Sequence, residues 1–74
     1  MLNKYEIIIM GNCIHIKNYY KILDICDKKI EINLNNSTLL INGNNLIVCA
    51  MDEYEIVIKG YFKSIEFINE QDKD

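Results

Sequence analysis

Apolar residues recur at every second position in short runs along almost the whole chain, and pairs drawn from asparagine, glycine, aspartate and lysine separate the runs. Period-two alternation broken at such residues is the pattern of half-buried strands joined by tight turns. It predicts strands over residues 5–10, 13–17, 21–26, 29–34, 37–42, 45–49, 54–59 and 62–68. The expected fold is all-β: a small antiparallel meander of about eight short strands in a rolled or barrel-like sheet. One domain is expected over residues 1–74, with its core at about 5–68 and a polar tail at 69–74 that frays.

Adjacent hairpins should agree on one buried face, because a slip of one residue would turn every side chain to the other side. An Asp27-Lys28 turn sets Ile25 opposite Ile30 and Leu23 opposite Ile32. An Asn35-Asn36 turn sets Ile32 opposite Leu39 and Ile30 opposite Ile41, and a Gly43-Asn44 turn sets Ile41 opposite Leu46 and Leu39 opposite Val48. Asparagine and glycine reach the positive φ that tight hairpin turns require. A last turn at Gly60-Tyr61 places Ile56 opposite Ile65, and with it Glu55 opposite Glu66, a like-charge pair that a bulge at Gly60 would relieve. The outer face then holds Asp24, Glu31, Asn33 and Thr38 together with Leu40 and Ile47, which face one another as a small apolar patch. The stretch 11–16 echoes 43–48 in turn chemistry and alternation.

Composition narrows the class. Half the 74 residues are hydrophobic and 26% are charged, inside the globular range. A chain this short buries only about 60 to 65% of its unfolded surface, so self-association into a homo-oligomer is a standing possibility. The net charge of -3 provides no cationic field, and no nucleic-acid partner is expected. No apolar run approaches the ~20 residues that cross a bilayer, so neither a leader, an anchor nor direct membrane insertion is expected. All eight basic residues are lysines, proline is absent, and Ile, Asn, Lys and Tyr are heavily used, which points to an AT-rich bacterial genome.

Three cysteines, Cys13, Cys26 and Cys49, form an odd and widely spaced set without a C-x-x-C pair, as expected of reduced thiols in a cytoplasmic protein. Cys13 and His15 lie two apart on one strand and would share a face, two ligands where a structural zinc site needs four. The same pair read as a nucleophile and base lacks a third, orienting group. Asp24 with Glu31, and Glu55 with Glu66, show no sign of the burial that separates an acid from a base. The expectation is therefore a non-enzyme with no catalytic residues, cofactor or metal; a thiol or metal protein built on Cys13 and His15 is the alternative from another class. Tyr19, Tyr20, Tyr54 and Tyr61 are placed at strand ends, where rings cover a sheet edge and hydroxyls reach water.

Most of the chain carries a family pattern. Its pieces are Gly11-Asn12, then Ile14-His15-Ile16-Lys17-Asn18-Tyr19-Tyr20-Lys21-Ile22-Leu23, then Ile30-Glu31-Ile32-Asn33. Leu39-Leu40-Ile41-Asn42-Gly43-Asn44-Asn45-Leu46, Ile56-Val57-Ile58-Lys59-Gly60 and Ile65-Glu66-Phe67 follow. In order and spacing these resemble the YabP/YqfC family of sporulation proteins, more closely its YqfC branch. Two departures stand out: Asn35-Asn36 where the family tends to have a glycine, and no glycine near Tyr20. The resemblance implies a small non-enzymatic protein of a spore-forming, low-GC Firmicute. It would act as a scaffold or interaction module in the mother cell, peripheral at the forespore membrane, with a membrane-associated sporulation protein as partner. A self-assembling subunit of the spore envelope is the second reading it allows. Leu40 and Ile47 are the expected partner surface.

Overall fold

In the computed structural model, which describes residues 4–69, six strands form one antiparallel sheet. They are β1 (Glu6–Met10), β2 (Cys13–Lys17), β3 (Lys21–Ile25), β4 (Lys29–Asn33), β5 (Ser37–Met51) and β6 (Glu55–Asn69), in the spatial order β1-β2-β6-β5-β4-β3. The sheet is open, with β1 and β3 at its two ends, and no helix occurs among the described residues. The all-β reading is correct. Asn69, assigned to a fraying tail, is the last residue of β6 and faces Ser37, while 70–74 lie outside the described residues.

The strand count is six because two expected turns are bends. Gly43-Asn44 and Gly60-Tyr61 do not reverse the chain; each lies inside a strand of 15 residues, where the β5–β6 ladder shifts register. A Cβ on Gly43 would land on the Tyr61 carbonyl oxygen, and one on Gly60 would meet the Asn45 carbonyl at 2.8 Å. Gly60 also sits at φ 147°, and Asn45 takes φ 55° beside it. These glycines thus serve close backbone approach at a bulged bend, a role that leaves the same sequence signature as a turn.

Several pairings change accordingly. Ile41 faces Ile65 rather than Leu46, Leu39 faces Phe67 rather than Val48, and Ile56 faces Ile16 and Met51 rather than Ile65. Glu55 and Glu66 are not opposed: Glu55 faces Lys17, and Glu66 faces Leu40. The hairpins around Asp27-Lys28 and Asn35-Asn36 hold, with Ile25 opposite Ile30, Ile30 opposite Ile41 and Ile32 opposite Leu39. Asn35 takes φ 92°. Between Ile22 and Asp24, however, β3 shifts register, so Ile22 faces Ile32 and Leu23 is left exposed. Ile25 is exposed as well, because its strand is the sheet edge, and Thr38, assigned to the outer face, is buried between Asn33 and Ile68 on the neighbouring strands.

The core joins both halves of the bent sheet. Ile14 and Ile16 of β2, Ile30 and Ile32 of β4, Leu39 and Ile41 of β5, and Ile56 and Ile58 of β6 have no exposed surface and belong to one cluster with Leu34 and Leu46. Residues of both halves thus share one buried cluster, and the bulged stretches of β5 and β6 lie between the pairings of the two halves. Burying each large aliphatic side chain stabilises the fold by about 1.5 to 3 kcal/mol before entropy is counted.

The two halves repeat one another. The β2–β6 pairs Cys13/Lys59, Ile14/Ile58, His15/Val57, Ile16/Ile56 and Lys17/Glu55 correspond in order to the β4–β5 pairs Lys29/Asn42, Ile30/Ile41, Glu31/Leu40, Ile32/Leu39 and Asn33/Thr38. Gly60 N–H donates to the Asn12 carbonyl at 3.1 Å, as Gly43 N–H donates to the Lys28 carbonyl at 3.0 Å. Asn18 N–H reaches the Tyr54 carbonyl at 2.6 Å, as Leu34 N–H reaches the Ser37 carbonyl at 2.8 Å. This correspondence sets 12–17 beside 28–33, not 11–16 beside 43–48.

Candidate interaction surface

Alternation along β2 buries Ile14 and Ile16 and turns Cys13, His15 and Lys17 to the other face, so Cys13 and His15 do share a face. His15 Nε2 lies 2.8 Å from Glu55 Oε1 on β6, with the two side chains 31% and 46% exposed. A pair this wet contributes no more than about 1 kcal/mol, and as an ion pair only when the imidazole carries a proton. Among the described residues no three histidine, cysteine, aspartate or glutamate side chains are placed to hold a metal ion. Cys26, in the β3–β4 turn, and Cys49, on β5, are exposed, and all three thiols are free.

Leu40 and Ile47 do not face one another. The bend of β5 lies between them, so Leu40 sits half-buried between Glu31 and Glu66, while Ile47 stands beside Lys59 and is 60% exposed. A turn at Gly43-Asn44 would have brought them together; a bend separates them.

The tyrosines divide by position. Tyr20, Tyr54 and Tyr61 are exposed at strand ends or bends, whereas Tyr19 packs on the core. Its hydroxyl donates to the Asp52 carbonyl at 2.5 Å, tying the β2–β3 link to the β5–β6 turn. Partial burial, then the Asp52 charge, raises the Tyr19 pKa. The Asp52 carboxylate accepts the Tyr54 and Glu55 N–H groups at 2.8 and 2.9 Å, and these bonds hold its pKa below the ordinary aspartate range. Asn18, Tyr19, Glu53 and Tyr54 line a shallow recess of ≈ 180 Å³ at this corner.

Far more apolar surface lies at the ends of the sheet. β2 pairs with β6 only from Glu55 to Lys59, and β4 with β5 only from Thr38 to Asn42. Among the described residues, the remaining halves of β5 and β6 therefore have a strand on one side alone, as do β1 and β3. Ile9, Met10, Ile47, Met51 and Phe67 are each more than half exposed on these edges. Tyr5 stacks on Phe67 with ring centroids 6.4 Å apart, and an open groove of ≈ 490 Å³ runs past them along Asn36, Ser37 and Asn69. Exposed backbone and apolar side chains on one strand are the chemistry that recruits another strand. No helix among the described residues is long and apolar enough to cross a membrane. No protein-family model, curated protein or solved structure matches the chain.

Proposed function

We propose that this chain is a non-enzymatic interaction module, which holds a protein partner on the outer surface and edges of its sheet. The observation that supports it is the concentration of exposed apolar side chains on strand segments with an open side. The place of action follows the resemblance to the YabP/YqfC family: the mother cell of a spore-forming Firmicute, peripheral to the forespore membrane, with a membrane-associated sporulation protein as partner. Ile47 is the contact residue of choice, because it is exposed and lies between the β5 edge and Lys59, and Leu40 is the second. A photo-crosslinker at position 47, activated in sporulating cells, should capture one membrane-associated protein. Ile47→Lys should abolish that adduct and lower spore yield while leaving the fold intact. Normal sporulation of a deletion strain would overturn the cellular role, and an unchanged partner complex in Ile47→Lys would overturn this surface.

A further inference from the structure

We infer that β1 is a self-pairing edge, through which two copies of this chain join antiparallel about a two-fold axis at Ile8. Open sheet edges are ordinarily blunted by charges, bulges or proline. β3, the counterpart of β1 in the repeated halves, is blunted: Lys21 and Asp24 lie on it, and its ladder shifts at Leu23. β1 has none of this. Its five residues Glu6-Ile7-Ile8-Ile9-Met10 pair with β2 without a break, and only Glu6, at one end, is charged.

The hydrogen-bond parity suits a second copy. Gly11 at φ 61° opens a two-residue turn flanked by the pair Met10 and Cys13, and because the Asn12 carbonyl and the Asn18 N–H bond to the β6 side, alternation makes Met10–Cys13 a hydrogen-bonded pair. Alternation then turns the N–H and C=O of Ile7 and Ile9 away from β2. With the axis at Ile8, Ile7 of one copy faces Ile9 of the other, so every outward group meets an outward group.

Side chains select the occupant. On the core face Ile56, Ile16 and Ile7 form a row, and Ile9, Ile14 and Ile58 form the next. Self-pairing joins the first row of one copy to the second row of the other, giving six isoleucines in line and covering Ile9, now 51% exposed. On the outer face Glu6 meets Met10 of the second copy and keeps Lys17 at its other side, so no like charges are opposed. A five-residue edge falls short of the ~800 Å² per partner of a standard interface, so the association is weak and concentration-dependent. Because pairing uses both β1 edges, it closes at two copies.

This dimer does not depend on the spore role, and purified protein tests it apart from any cellular partner. Sedimentation over a roughly thousandfold concentration range should show monomer passing to dimer, with nothing larger. Ile9→Lys, with its fold checked by circular dichroism, should weaken dimerisation at least ~10-fold by placing a charge beside Ile7 of the second copy. Ile25→Lys on β3 should leave dimerisation unchanged. Independently of the stability of Ile9→Lys, Ile8→Cys with Cys13, Cys26 and Cys49 changed to Ser should oxidise to a single linked dimer, since opposed non-hydrogen-bonded residues lie at ~4.5–5.5 Å. A monomer at every concentration, open-ended assemblies, wild-type affinity in a folded Ile9→Lys variant, or no linked dimer from Ile8→Cys would each overturn the proposal.

Discussion

The half built from β1, β2 and the start of β6 and the half built from β3, β4 and the start of β5 share one pairing scheme but not one edge. Their inner strands match pair for pair, with isoleucine or leucine at all eight core positions. Their outer strands diverge. β1 is regular and apolar, while β3 shifts at Leu23 and sets Asp24 against Glu31. Core positions leave few choices because every side chain there is fully buried in one shared cluster, whereas an edge strand with one neighbour is free to be smooth or broken. The difference is therefore where specialisation shows.

The comparison can be broken first at its strongest point. Ile16→Ala and Ile32→Ala remove equivalent, fully buried side chains, and each should cost about 2 to 5 kcal/mol by chemical denaturation. Equal losses support equivalent halves; a loss at one site alone would end the equivalence. Next come the bends. Gly43→Ala drives a methyl into the Tyr61 carbonyl, and Gly60→Ala strains a φ of 147° and crowds Asn45 and Leu46, so each should cost roughly 1 to 3 kcal/mol. A harmless alanine at either place would mean that bend is not the tight crossing described above.

The hairpin turns sharpen the contrast through pH. Asn33 Oδ1 accepts the Asn35 N–H at 2.8 Å in one turn, and Asp52 plays the same part in the other, but only Asp52 titrates. Because its folded pKa is depressed, the stabilisation it gives is present above the unfolded value and is lost as pH falls through the folded one. Asp52→Asn should therefore lower the melting temperature slightly at neutral pH, with the gap closing below the ordinary aspartate range. A gap that does not vary with pH would remove the carboxylate from the account. The smallest effect is expected at the broken edge, where Asp24→Lys replaces a like-charge pair with an attractive one and should add about 0.2 to 1 kcal/mol.

The candidate surface was legible only in part. That Ile47 is exposed and that Cys13 and His15 share a face follow from alternation, which side-chain period alone dictates. The separation of Leu40 from Ile47, and the His15 to Glu55 contact across 40 positions in sequence, depend on which strands become neighbours. The smoothness of β1 was present in its sequence, but that it would lie at an edge was not.

By itself the sequence determined the all-β class, the buried face of the runs that became β2 and β4, and the two local hairpins around Asp27-Lys28 and Asn35-Asn36. Those features rest on side-chain alternation and on turn residues a few positions apart, and local chemistry settles them. Only the tertiary structure decided that Gly43 and Gly60 bend two long strands, that β2 docks on β6, and that β1 is left with an open side. A glycine permits a turn and a bend alike, and the choice between them depends on burying the isoleucines of both halves against one another, a gain that no local segment contains.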